Sequence, residues 1–79
     1  MSENSEHTLI LRGEHITLAQ AVKAAGLAGS GGQAKHLVRQ GAIRVNGVVD
    51  VQPGRKLHPG DRFGQLEQAE WRVVAEPNP

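Results

Sequence analysis

Residues 30–47 read SGGQAKHLVRQGAIRVNG, and within this stretch the pattern of apolar residues changes from a helical to an alternating period. Ser30 followed three residues later by Gln33 has the spacing of a capping box, in which a hydroxyl accepts from a first-turn N–H and an amide reaches back. Ala34, Leu37 and Val38 then fall on one side of a helical wheel, and Gly41 stands where a left-handed residue would end the helix. The spacing predicts a helix from about Gly31 to Gln40. Beyond it, Ile43 and Val45 alternate with Arg44, and Asn46-Gly47 is a strong two-residue hairpin signal before Val48, Val49 and Val51.

The segments on either side extend this pattern. Thr17 and Gln20 repeat the capping spacing, Leu18, Ala21, Val22 and Ala25 share a face, and Gly26 closes a first, shorter helix. Leu9, Ile10 and Leu11 form a short apolar run inside Thr8–Arg12 that reads as a strand. Downstream, Pro53-Gly54 and Pro59-Gly60-Asp61 are turns, Arg62–Leu66 reads as a further strand, and Trp71–Val74 as the last. The expected fold class is α+β, with two short helices packed on a small, mainly antiparallel sheet of four to five strands. One domain is expected over residues 8–75, with a disordered polar tail at 1–7 and a flexible Pro-containing tail at 76–79.

Charge is segregated along the chain. Residues 23–62 carry seven basic side chains (Lys23, Lys35, Arg39, Arg44, Arg55, Lys56, Arg62) against Asp50 and Asp61, a net of +5. The flanks carry Arg12 and Arg72 against six glutamates, a net of −4, and the two parts give the +1 of the whole chain. A central basic segment of this kind points to a polyanionic partner.

Length and composition narrow the classes of function. A 79-residue chain has room for one modest core and no elaborate catalytic cleft. The absence of Cys removes disulfides and thiolate metal sites. The polar start, MSENSEHT, lacks the basic and apolar regions of a secretory signal, and no apolar run approaches the ~20 residues of a membrane span. The expectation is a soluble cytoplasmic protein with no membrane partner.

On the wheel of the second helix, Lys35, His36 and Arg39 lie opposite Ala34, Leu37 and Val38. Ser30 caps its start, and Gly31 and Gly32 leave the first N–H groups unobstructed, an arrangement suited to a phosphate oxygen. Arg44 points away from Ile43 and Val45, while Arg55 and Lys56 add two charges just before the Pro-Gly-Asp turn. Together these residues, Ser30, Gly31, Gly32, Lys35, His36, Arg39, Arg44, Arg55 and Lys56, form the candidate phosphate-binding surface. Taken alone, a basic face on a short helix is usually just a solvated face, and SGG is usually a loop or cap. Their coincidence with segregated charge favours the binding reading.

Other residues point to structure. His7, His15, His36 and His58 have no metal-ligand spacing, so no metal is expected. Asp50 and Asp61 sit beside turns, where bonds to backbone N–H groups account for them. Neither a catalytic residue nor a cofactor is expected. Phe63 and Trp71, the only large aromatics, fall in apolar strands, which favours core packing and argues for contacts with the backbone and shape of a folded RNA over stacked single-stranded bases.

The run from Thr17 to Phe63 resembles the S-four RNA-binding domain, or αL motif, named after the fourth protein of the small ribosomal subunit. Leu18 in a short first helix, Ser30 before Ala34, Leu37 and Val38, then Gly41, Ile43, Val45, Asn46 and Gly47, and finally Leu57 with Gly60-Asp61 carry the likeness. SGGQAK, VNG and GRKLHPGD look most like the small stand-alone bacterial members of the YbcJ and YaaA type. The resemblance implies an RNA-binding surface on the two helices and the start of the hairpin, addressed to structured ribosomal or transfer RNA, with the ribosome as its setting. Lys35, His36, Arg39 and Arg44 would belong to that surface, with Arg55 and Lys56 nearby. Many members carry Arg directly after the Ser, where this chain has Gly31, which implies weaker autonomous binding. The expected function is therefore a non-enzymatic, monomeric RNA-binding protein in ribosome assembly or translation. The rival reading is a protein-interaction module that turns the same basic surface to an acidic partner.

Overall fold

The computed structural model describes residues 7–77, so of the expected tails at 1–7 and 76–79 the parts 1–6 and 78–79 lie outside the described residues. Chain order is β1 (His7–Leu11), β2 (Ile16–Thr17), α1 (Leu18–Ala24), α2 (Gly31–Arg39), β3 (Ile43–Val45), β4 (Val48–Val49), β5 (Lys56–Leu57), β6 (Arg62–Gln65) and β7 (Trp71–Ala75). Five strands make one sheet in the order β1-β7-β6-β3-β4, and β2 pairs with β5 in a separate two-stranded ladder. The architecture is α+β and mainly antiparallel, with β1 and β7 paired in parallel. A parallel pair needs a long crossover, and here the crossover is the entire domain between the first strand and the last.

Local chemistry explains the helix limits. Thr17 Oγ1 accepts from Gln20 N at 3.2 Å while Gln20 Oε1 accepts from Thr17 N at 3.1 Å, a complete capping box for α1. Both helices end alike: Gly26 (φ 78°) and Gly41 (φ 79°) turn into the left-handed region, and the next residues, Leu27 and Ala42, donate back to Val22 and Leu37 carbonyls. That pairing is the Schellman motif, for which glycine is favoured. Asn46 (φ 51°) and Gly47 (φ 87°) form the left-handed hairpin turn between β3 and β4. Asn46 also reaches beyond the turn: its Oδ1 accepts from Arg62 N at 2.9 Å and its Nδ2 donates to Asp61 Oδ1 at 3.1 Å, which locks the hairpin to β6.

Both helices cover one face of the sheet. Val45, Phe63, Trp71 and His7 are successive partners across β3, β6, β7 and β1 and so share that face, where Phe63 is fully buried and the rings of Trp71 and His7 stack at 4.8 Å. Leu18, Val22, Val38, Ile43, Leu57 and Val73 complete a core with no exposed surface of their own. His7 therefore belongs to β1 instead of a polar tail, and Glu76 N donates to Leu11 O at 3.1 Å. The opposite sheet face carries Arg44 and Gly64, which are register partners. The β6–β7 connection folds over Gly64 so closely that an added Cβ would lie 3.0 Å from Ala69 O.

Candidate nucleic-acid interface

Helix α2 stands on a charge boundary set by its sequence. Its buried residues, Ala34 and Val38, face the core, and the rest of its circumference divides between two surface clefts. The first cleft, about 460 Å³, lies between α1, α2 and the loop at Pro53-Gly54, and is lined by Thr17, Ala19, Gln20, Lys23, Gly31, Lys35 and Arg39. Three exposed cations thus converge on it, and among the described residues none of Lys23, Lys35 and Arg39 has a carboxylate within ion-pair distance. The N–H groups of Gly31 and Gly32 have no acceptor among the described residues, because Ser30 Oγ accepts from Gln33 N and Ser30 O from Ala34 N. Such open donors carry the positive end of the helix dipole.

The expected capping box at α2 is only half formed. Gln33 Oε1 accepts from Gly29 N at 2.8 Å, not from Ser30 N, so the amide ties down the approach to the helix one residue earlier. This fits the extended backbone of Ser30 (φ −154°, ψ 165°) and the missing side chain at Gly29, whose Cβ would sit 3.0 Å from that oxygen.

Of the sequence-selected surface, Gly31, Lys35 and Arg39 meet in the cleft, with Ser30 at its edge as the cap. Lys56, the register partner of cleft-lining Thr17, lies beside it and is exposed. Gly32 and His36 line the second cleft, on the other flank of α2, so His36 does not join Lys35 and Arg39. Arg44 is also elsewhere. It lies on the sheet face away from the helices, its Nε 3.5 Å from Glu70 Oε2 and its Nη2 donating to Gln68 O at 2.8 Å. Alternation about the buried Ile43 and Val45 dictates this direction, since the helices occupy the other face. Glu70 also lies 3.7 Å from Arg62 Nη1, so one carboxylate serves two guanidinium groups.

Arg55 borders the cleft through its loop, but its charge is matched by Asp50, with Nη1 and Oδ2 2.7 Å apart. Partial burial would push the Asp50 carboxyl up, yet the Arg55 hydrogen bond, the Gln52 N–H and the Arg55 charge outweigh it and hold the carboxyl below its ordinary value. The same balance holds at Asp61, where burial is outweighed by His58 N–H, the Asn46 amide and the nearby His58 and Arg55 charges. Both aspartates accept from backbone N–H groups beside their turns, Asp50 from Gln52 and Asp61 from His58.

Lys23 is the cleft residue that the sequence reading passed over. Its signal is the i,i+4 relation to Ala19, which places it on the flank of the buried stripe that faces α2. Loop 53–55 is equally hidden in sequence: Pro53 O and Arg55 O accept from Ala19 N and Leu18 N at 3.0 and 2.7 Å, bringing the loop over the start of α1.

No helix among the described residues is long and apolar enough to cross a membrane. A search of the curated proteins gives no match to the chain. The family description "S4 domain" matches residues 9–74, from β1 to β7, and so takes in both helices, the hairpin and the basic cleft. With that match over nearly all of the described residues, the chain belongs to the S4 domain family, whose members are RNA-binding, non-catalytic domains.

Proposed function

We propose that this protein binds structured RNA, ribosomal or transfer RNA, by seating backbone phosphates in the cleft of Lys23, Lys35 and Arg39. It acts without catalysis, in the cytoplasm of a bacterial cell, in ribosome assembly or translation. The observation that carries the reading is the convergence, on a cleft beside the start of α2, of three cations with no carboxylate partner among the described residues. Phosphate contacts of this kind position a folded RNA by its backbone and need no exposed aromatic ring.

Of the six basic residues that the sequence selects, Lys35, His36, Arg39, Arg44, Arg55 and Lys56, the fold pairs Arg44 with Glu70 and Arg55 with Asp50, turns His36 to the other flank of α2 and leaves Lys56 beside the cleft, so that with Lys23 added three cations line it. With about three phosphates neutralised, log affinity for a structured RNA falls against log salt with a slope of roughly −3. Binding measured over a series of salt concentrations tests this directly. A slope near zero contradicts the mechanism, and RNA crosslinks confined to the far sheet face contradict the site.

A further inference from the structure

The second cleft differs from the first in charge, since no Lys or Arg lines it. It encloses about 560 Å³, within the range of small-ligand pockets, and is lined by Leu27, Ala28, Leu37, Gln33 and His36 together with glycines of the α1–α2 loop and Gly32. Leu27, Ala28 and Leu37 are packed against the core, so the apolar walls are fixed. Gln33 is held through its oxygen by Gly29 N–H, which leaves the amide NH2 group without an acceptor among the described residues. His36 supplies the one ring, exposed at the wall.

The two clefts lie back to back across α2, and successive residues face them in turn: Gly31 and Lys35 line the basic cleft, Gly32 and His36 the apolar one. At the helix start the lining passes from Gly31 in one cleft to Gly32 in the other, two residues without side chains whose N–H groups have no acceptor among the described residues, with the Ser30 cap beside them. A cation-lined slot beside an uncharged slot with one ring and one amide NH2 group that has no acceptor among the described residues matches the two ends of a nucleotide. From this we infer that the apolar cleft receives a single unpaired base of the RNA whose phosphates occupy the basic cleft. The base packs between Leu37 and the His36 ring, the Gln33 amide donates to an acceptor on its edge, and the sugar-phosphate crosses at Gly31-Gly32. This assignment rests on the RNA-binding reading and adds the class of RNA: a folded one with a bulged or looped-out nucleotide.

The test uses two RNA hairpins with the same stem, one carrying a bulged adenosine and the other an abasic residue at the same place. The expected result is tighter binding of the bulged RNA by roughly fivefold to a hundredfold, the range for one base on a protein ring. Ala28→Leu, which fills the cleft from a half-buried wall, removes that preference and leaves affinity for the abasic hairpin and its salt slope unchanged. His36→Ala, an exposed change that cannot unfold the core, reduces the preference independently. Equal affinity for the two hairpins with a normal salt slope overturns the base cleft while leaving the basic cleft standing. So does an Ala28→Leu variant that still folds and keeps its preference. Failure to bind either hairpin overturns both readings together.

Discussion

At the start of α1, Thr17 and Gln20 exchange both capping hydrogen bonds, and the carbonyls of Arg55 and Pro53 take the N–H groups of Leu18 and Ala19. At the start of α2, Ser30 caps in the same way, yet Gln33 turns to Gly29 and the N–H groups of Gly31 and Gly32 are left facing outward. The two helices carry nearly the same opening signal, Thr-x-x-Gln and Ser-x-x-Gln, with opposite consequences. The first start is spent on folding, because a loop from far along the chain closes over it. Among the described residues nothing accepts from the second, and the cations gather beside it.

The largest test of this contrast is charge reversal. Lys35→Glu with Arg39→Glu is expected to lower affinity for structured RNA by about a hundredfold or more at low salt and to flatten the salt slope by about two. The melting curve should be unchanged, since neither side chain is in the core. Equilibrium binding together with thermal melting checks both halves.

A sharper probe removes one N–H. Gly31→Pro suits the first helical position, the extended Ser30 before it accepts a following proline, and a Cβ there meets nothing within 4 Å. Stability is expected to hold or rise while RNA affinity drops by about tenfold, the order of a lost hydrogen bond to a charged oxygen. A Gly31→Pro protein that binds RNA as tightly as wild type would show that the open helix start is idle.

The mirror experiment is Thr17→Ala. Loss of this cap should cost about 1 kcal/mol and lower the melting temperature by about 4–8 °C, with RNA affinity of the folded protein falling much less than in Gly31→Pro, since Thr17 lines the cleft but its hydroxyl is engaged in the cap. Affinity that fell in parallel with stability would erase the distinction between the two helix starts.

The smallest effect concerns the loop that closes α1. Asp50 and Asp61 are held below their ordinary carboxylate values in the folded protein. The unfolded chain therefore binds more protons in that window, and stability present above pH of about 4 is lost as pH falls through the lower folded values. Asp50→Asn should shallow this acid-side loss in a melting series. It should also release Arg55 beside the basic cleft and steepen the RNA salt slope by up to about one.

The sequence revealed features whose partners lie close by in the chain. Both helices, their Gly26 and Gly41 ends, the Asn46-Gly47 turn and the turn roles of Asp50 and Asp61 were readable, because each rests on bonds spanning only a few residues. Lys35, Arg39 and Gly31 were readable on one helix for the same reason. The two-residue pairing of Ile16-Thr17 with Lys56-Leu57 was not, since two residues carry no period and the partners lie far apart in the chain. Lys23 was missed because its part in the cleft depends on how α1 lies against α2.

By itself the sequence determined the fold class, the helix limits, the hairpin and a positively charged middle segment, all products of local periodicity and backbone preference. The tertiary structure alone decided which charges count. It set Glu70 against Arg44 and Arg62, Asp50 against Arg55, and brought Lys23, Lys35 and Arg39 together with no carboxylate among the described residues within ion-pair distance. The physical reason is that charge neutralisation depends on distance in space, and the strand register and the loop over α1 set those distances between residues far apart in the chain.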